Sequence, residues 1–120
     1  MRALLVVAHG SRRAESNDEV RALTRQIREL KTGDYEYIDC AFLELAEPSI
    51  PDGIRQCLDR GVNEVTVLPY FLSAGRHVNE DIPELVKAAR AEYPGAKLTL
   101  APHLGTASSL AQLMLDLTEY

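Results

Sequence analysis

"ALLVVAHGSR", residues 3–12, joins an unbroken run of apolar residues to a histidine, a glycine and two polar residues. A strand with one face in water alternates apolar with polar residues, whereas one covered on both faces stays apolar throughout. Residues 3–8 therefore read as a strand in the middle of a sheet. The run stops at Ala8 and "HGSRR" follows, so a buried first strand accounts for it better than a secretion signal. A sheet covered by helices on both faces makes the fold α/β.

Three further strand-then-helix units extend the pattern. A helix is expected from Ser16, with Glu19 completing a capping box, to about Lys31; Val20, Leu23, Ile27 and Leu30 form its apolar stripe. "YEYIDCAFL" (35–43) reads as the second strand. After the "EPSIP" loop, Ser49 is the expected cap of a short helix with Pro51 in its first turn. Ile54, Cys57 and Leu58 form its inner face, and Gly61 ends it. "EVTVLP" (64–69) is the third strand. Asp81 and Glu84 resemble a second capping box, with Pro83 in the first turn. Ile82, Leu85, Val86 and Ala89 then recur at helical spacing until "YPG" (93–95). "KLTLA" (97–101) is the fourth strand, and Leu110, Leu113, Met114 and Leu117 make the last helix amphipathic. This alternation implies right-handed crossovers and a four-stranded parallel sheet in the order 2-1-3-4. Helices lie on both faces, in one domain over residues 1–120.

Composition bounds the rest. The 120 residues, 46% hydrophobic and 26% charged, fit a soluble globular domain with a proper core. No apolar run is long enough to span a bilayer. The net charge of -5 and pI of about 5.1 argue against nucleic acid or an anionic membrane as partner. Cys40 and Cys57 have neither C-x-x-C nor zinc spacing and read as buried free thiols in a reducing cytoplasm.

The chemistry-bearing residues gather at one edge. His9 follows strand one, Glu44 and Glu47 follow strand two, His77 follows strand three and His103 follows strand four. In a parallel sheet these junctions share the carboxyl edge, where α/β proteins place ligands. With strands one and three adjacent, His9 and His77 face each other across a crevice. Tyr70, Phe71 and Leu72 are open to two readings: core or subunit contact, or a wall against a flat apolar ligand. "PHLG" around His103 offers no second polar group, and that histidine reads as solvated. There is no G-x-G-x-x-G, Walker A or G-x-S-x-G sequence, so phosphate-loop chemistry fits poorly and Ser11 is a weak nucleophile. "AHGSR" superficially resembles the R-H-G of phosphohistidine phosphatases, but Ala8 stands where an arginine would grip phosphate.

Two imidazoles and a carboxylate ligate a transition metal, and imidazole also accepts protons near neutral pH. A reaction needing both is metal insertion into a tetrapyrrole, in which two ring N–H protons leave. The flat macrocycle needs an apolar slot, and its peripheral carboxylates need cations such as Arg12, Arg13 and Arg76.

The same residues carry a resemblance. "VVAHGSR" (6–12), "FLELAEPSI" (42–50) and "VLPYFLSAGRHVNEDIPE" (67–84) resemble the CbiX and SirB group of class II chelatases, in order and over nearly the whole chain. The resemblance implies insertion of Co2+, Fe2+ or Ni2+ into sirohydrochlorin, on the way to cobalamin or siroheme. It implies a small, single-domain homodimer, and no tightly bound cofactor is expected. His9 and His77 take the positions of metal-binding and catalytic histidines, and Glu44 that of a catalytic acid. Ser11, Arg12, Arg13, Tyr70, Phe71, Leu72 and Arg76 are the residues expected around the macrocycle. "PHLG" departs from the more usual P-P-L-G, and the histidine-rich segment of some small members is absent. The alternative from another class is a non-catalytic carrier of metal or tetrapyrrole with the same pocket.

Overall fold

A computed structural model of the chain describes residues 1–30 and 33–119. Strands β1 (Arg2–Ala8), β2 (Tyr37–Phe42), β3 (Glu64–Pro69) and β4 (Lys97–Leu100) alternate with helices α1 (Ala14–Glu29), α2 (Ile50–Asp59), α3 (Ile82–Glu92) and α4 (Leu110–Asp116). The sheet is parallel throughout, in the order β2-β1-β3-β4 that the alternation implies. Every β1 residue from Ala3 to Ala8 is buried, which is why that run carries no polar side chain. Successive side chains point to opposite faces. Leu4 and Val6 join Ile38 against Ile27 of α1. Ala3, Leu5 and Val7 join Val65 and Val67 on the other face, against Ile54 of α2 and Ile82 and Val86 of α3.

α2 starts as its sequence indicates. The Ser49 hydroxyl accepts the Asp52 N–H at 3.2 Å, with Pro51 in the first turn, and Gly61 follows the helix end at φ +92°. The two expected capping boxes do not form. α1 begins earlier, at Ala14, and no side chain caps it, so Ser16 lies inside the first turn. Ahead of α3 the backbone is already helical at Arg76 and stays so through Asp81, leaving Asp81 inside a continuous run rather than at its start. α1 ends at Glu29, so Leu30 is exposed and falls outside the stripe. Fully buried Thr24 takes an inward position instead, its hydroxyl donating to the Val20 carbonyl at 2.8 Å. The expected end near Lys31 lies outside the described residues.

α4 departs furthest from a core helix. Leu113, Met114, Leu115 and Leu117 are all more than half exposed, and no residue of the helix is buried. On the α1 side of the sheet, β3 stays half-open at Thr66 and Leu68. Leu23, Ile27, Leu68 and Leu104 line a hollow of about 370 Å³ there. Cys57 is buried as expected, whereas Cys40 is only half-buried. Among the described residues no helix is long and apolar enough to cross a membrane.

Candidate functional site

The β1–β2 ladder runs on past both strands. The Leu43 N–H donates to the Ala8 carbonyl at 2.8 Å and the Glu44 N–H to the His9 carbonyl at 3.0 Å. The two junction residues are thereby held side by side, and His9 Nε2 lies 3.4 Å from Glu44 Oε1. On the other flank the Tyr70 N–H donates to the Val7 carbonyl at 2.8 Å, so the chain leaves β3 alongside β1. It then enters one π-helical turn, His77–Asp81, in which the Ile82 N–H donates to the His77 carbonyl five residues back. Such turns within α-helices recur at functional sites. This one carries the His77 ring to the His9 ring: the centroids are 4.6 Å apart and the planes tilted by 59°. The Phe71 ring stands 6.3 Å from that of His77.

The turn after β1 is built for this position. Gly10 has φ +93°, and a Cβ there would overlap the Glu44 carbonyl. Leu45, next to Glu44, also sits at positive φ, +66°, a conformation that costs a non-glycine residue about 1–3 kcal/mol and clusters at functional loops. Asn17, buried at the start of α1, clamps the turn from beneath. Its Nδ2 donates to the Ser11 carbonyl at 2.8 Å and its Oδ1 accepts the Ser11 N–H at 2.9 Å. Sequence reasoning missed Asn17. The available signal was its phase, since Asn17, Val20 and Thr24 recur on one helical face and all are buried.

His9 Nδ1 lies 2.9 Å from the Gly10 carbonyl oxygen. A carbonyl only accepts, so Nδ1 carries the proton, and a neutral ring keeps its lone pair on Nε2, the atom beside Glu44. His77 Nδ1 is 2.8 Å from Asp81 Oδ2. Both imidazoles are about two-fifths exposed, and Glu44 rather more. A groove of about 490 Å³ opens beside His9, lined by His9, Ser11, Asn17, Tyr70, Phe71 and Leu72. Tyr70 and Leu72 are exposed, so of the 70–72 stretch only Phe71 packs partly on the core.

Of the residues singled out in the sequence, the structure thus brings together His9, Glu44 and His77, with Ser11, Tyr70, Phe71 and Leu72 on the adjoining groove. The Ser11 hydroxyl accepts the Arg13 N–H at 3.0 Å and helps to shape the turn. Arg12, Arg13 and Arg76 stand in solvent on the same edge. Arg13 pairs with Glu15 at 3.7 Å and Arg76 with Glu80 at 3.5 Å. His103 precedes a short 3-10 turn whose Gly105 N–H donates to the Phe71 carbonyl at 3.0 Å, so its loop backs the groove wall. Among the described residues no three His, Cys, Asp or Glu side chains already form a metal cage. Glu44, from the loop after β2, and His77, from the π-helical turn, each lie beside His9.

The chain as a whole matches a known family. The family model for CbiX matches residues 3–119. The chain belongs to the CbiX family. It is 39% identical over 113 residues to the chloroplastic sirohydrochlorin ferrochelatase of Arabidopsis thaliana, covering 94% of this chain and 49% of that protein. It is 34% identical over 86 residues to the sirohydrochlorin cobaltochelatase of Methanopyrus kandleri, covering 72% of this chain and 59% of that protein. The chain thus spans about half to three-fifths of the length of these relatives. A crystal structure of a CbiX protein from Marinobacter aquaeolei matches it with a TM-score of 0.80 and 30% identity, over 98% of this chain and 94% of that one. The CbiX match takes in His9, Glu44 and His77 together with the groove beside them.

Proposed function

We propose that this chain is a sirohydrochlorin chelatase, a lyase-class enzyme that places a divalent metal ion, Co2+, Fe2+ or Ni2+, in the tetrapyrrole as two ring N–H protons leave. One observation carries the reading: two imidazoles with centroids 4.6 Å apart and a carboxylate 3.4 Å from one of them, His9, which lines a groove with Tyr70 and Phe71 on one flank. The ion is a substrate. His9 and His77 take it through Nε2 while it sheds water, and Glu44 accepts a ring proton as the ion enters the macrocycle. Partial exposure of all three side chains lets the ion arrive and leave. Tyr70, Phe71 and Leu72 flank the flat ring, Ser11 holds the turn, and Arg12, Arg13 and Arg76 take the peripheral carboxylates.

Imidazole and carboxylate suit all three ions. The relatives' names include both iron and cobalt, which correspond to siroheme and cobalamin biosynthesis. We read residues 1–120 as one chelatase-like domain acting as a cytoplasmic homodimer, where its two free thiols stay reduced. Neither nucleic acid nor a membrane is a partner in this reading. The groove supplies walls for only part of a large macrocycle, and a second copy completes it. The exposed apolar residues of α4 and the hollow beside Leu68 are the surfaces that the second copy covers.

The test is an anaerobic assay with excess sirohydrochlorin and each ion in turn, followed by the change in absorption on metal insertion. Many equivalents converted per chain with at least one ion is the expected result. Uptake that stops at one equivalent with all three would make the protein a carrier.

A further inference from the structure

Asp81 sits four residues after His77 in the π-helical turn, and its Oδ2 lies 2.8 Å from His77 Nδ1. It is the wrong residue to be a helix cap, because its backbone is helical and its side chain caps no N–H. The neighbouring acid, Glu80, turns to Arg76 at 3.5 Å. Asp81 is left to the imidazole, its one side-chain hydrogen-bond partner among the described residues.

We propose that Asp81 is a positioning residue that holds His77 as the Nδ1–H tautomer and so presents its Nε2 as a lone pair to the metal ion. An ionised carboxylate only accepts hydrogen bonds, so Nδ1 must donate, and the neutral ring then has its lone pair on Nε2. The Gly10 carbonyl imposes the same tautomer on His9 at 2.9 Å. Two unrelated devices, a main-chain carbonyl and a side-chain carboxylate, thus leave the same nitrogen unprotonated on two rings with centroids 4.6 Å apart. A neutral histidine side chain free in water favours the opposite tautomer, with the proton on Nε2, where it would block the ligand atom. Carboxylates behind metal-binding histidines act in this way, and their loss typically costs about 10–100-fold in metal affinity.

The identity of the ion rests on the chelatase reading, but the tautomer does not. In metal-free protein labelled with 15N-histidine, long-range proton–nitrogen correlations report which ring nitrogen carries the proton. Wild type should show Nδ1–H at His77. Asp81→Ala should shift His77 toward Nε2–H, leave His9 unchanged and weaken Co2+ binding about 10–100-fold. Asp81→Asn keeps an acceptor oxygen, and should retain the Nδ1–H tautomer and most of the affinity. That rescue separates positioning from charge, and it covers the case in which Asp81→Ala disturbs the turn. Nδ1–H retained in Asp81→Ala with wild-type Co2+ affinity, or an Nε2–H tautomer in wild type, would overturn the proposal. A wild-type protein with the expected tautomer but no metal insertion would overturn the chelatase reading and leave the role of Asp81 standing.

Discussion

The α-carbon of Gly10 rests against the backbone carbonyl of Glu44, leaving no room for a side chain between the loops that follow β1 and β2. Gly10 also has φ +93°. Gly10→Ala therefore meets two penalties, a left-handed backbone and a steric overlap, and should lose about 2–4 kcal/mol. Gly61 has nearly the same φ, +92°, but a methyl group there would meet nothing within 4 Å, so Gly61→Ala should lose only about 1–2 kcal/mol. Urea unfolding of the two variants makes the comparison. Equal losses would show that the Glu44 loop yields, and that the two loops are not locked together.

The Asn17 clamp is a second test of the same turn. Asn17→Ala leaves the Ser11 N–H and carbonyl without their partner in a part-buried setting, at an expected cost of about 1–3 kcal/mol. Asn17→Asp keeps the acceptor for the Ser11 N–H but sets a carboxylate against the Ser11 carbonyl, so it should rescue little of the loss. Stability of Asn17→Asp equal to wild type would mean that the donated hydrogen bond contributes nothing.

The contrast between these residues and the strands shows what a sequence can convey. Val6 and Val7 point to opposite faces and both are buried, so residues 3–8 must be apolar whatever covers them. Parallel pairing then puts every strand end on one edge, and the order 2-1-3-4 brings His9 to His77. Asn17 and Asp81 were not legible in this way. Both lie near helix starts, where Asn and Asp serve as caps, and only the fold shows that one clamps a preceding turn and the other holds an imidazole. The π turn left no mark either, because it leaves the apolar spacing of Ile82, Val86 and Ala89 intact. In α4 the apolar residues were legible but not what covers them, since an apolar stripe does not say which chain it faces.

Burial, reinforced by the negative charge of Asp39 and opposed by Arg60, pushes the Cys57 thiol up from an ordinary 9.0 to about 11. The unfolded chain gives up this proton near 9.0 while the folded chain keeps it, so between those values the folded state binds more protons. The contribution is whole below pH 9.0 and is lost as pH rises toward about 11. Cys57→Ala should be somewhat less stable at neutral pH, from the cavity it leaves, but should show a shallower alkaline decline. Denaturant midpoints across this range for both proteins make the check. Parallel curves would exclude the thiol as a source of the decline.

At the site, His9→Ala and His77→Ala should each lose about 10²–10⁴-fold in metal-insertion rate while the far-ultraviolet circular dichroism stays that of the wild type. Neither ring is buried, so neither supports the core. His103→Ala, behind the groove wall, should stay within a few-fold of wild type. Arg76→Ala should raise KM more than it lowers kcat, as expected for a contact made equally in ground and transition states. Initial rates of insertion test all four variants. Wild-type rates in the first two, with an inactive His103→Ala, would move the site along the same edge, to the loop that follows β4.

The exposed side of α4 gives the last prediction. Leu113, Met114, Leu115 and Leu117 are each more than half exposed, spread around the helix, and so many large apolar side chains in water are unfavourable unless another surface covers some of them. If a second copy is that surface, light scattering at micromolar concentration should give twice the mass of one chain. Leu113→Asp with Leu117→Asp would then place charges in the contact and weaken association by about 100-fold or more, since an unpaired charge in a desolvated contact is costly. The monomers so formed should remain folded, because no α4 residue contributes to the core. They should lose insertion activity if the second copy completes the groove. A wild-type monomer with full activity would remove both the dimer and the shared groove from the reading. A variant that becomes monomeric yet stays active would keep the dimer and show that one copy's groove is enough.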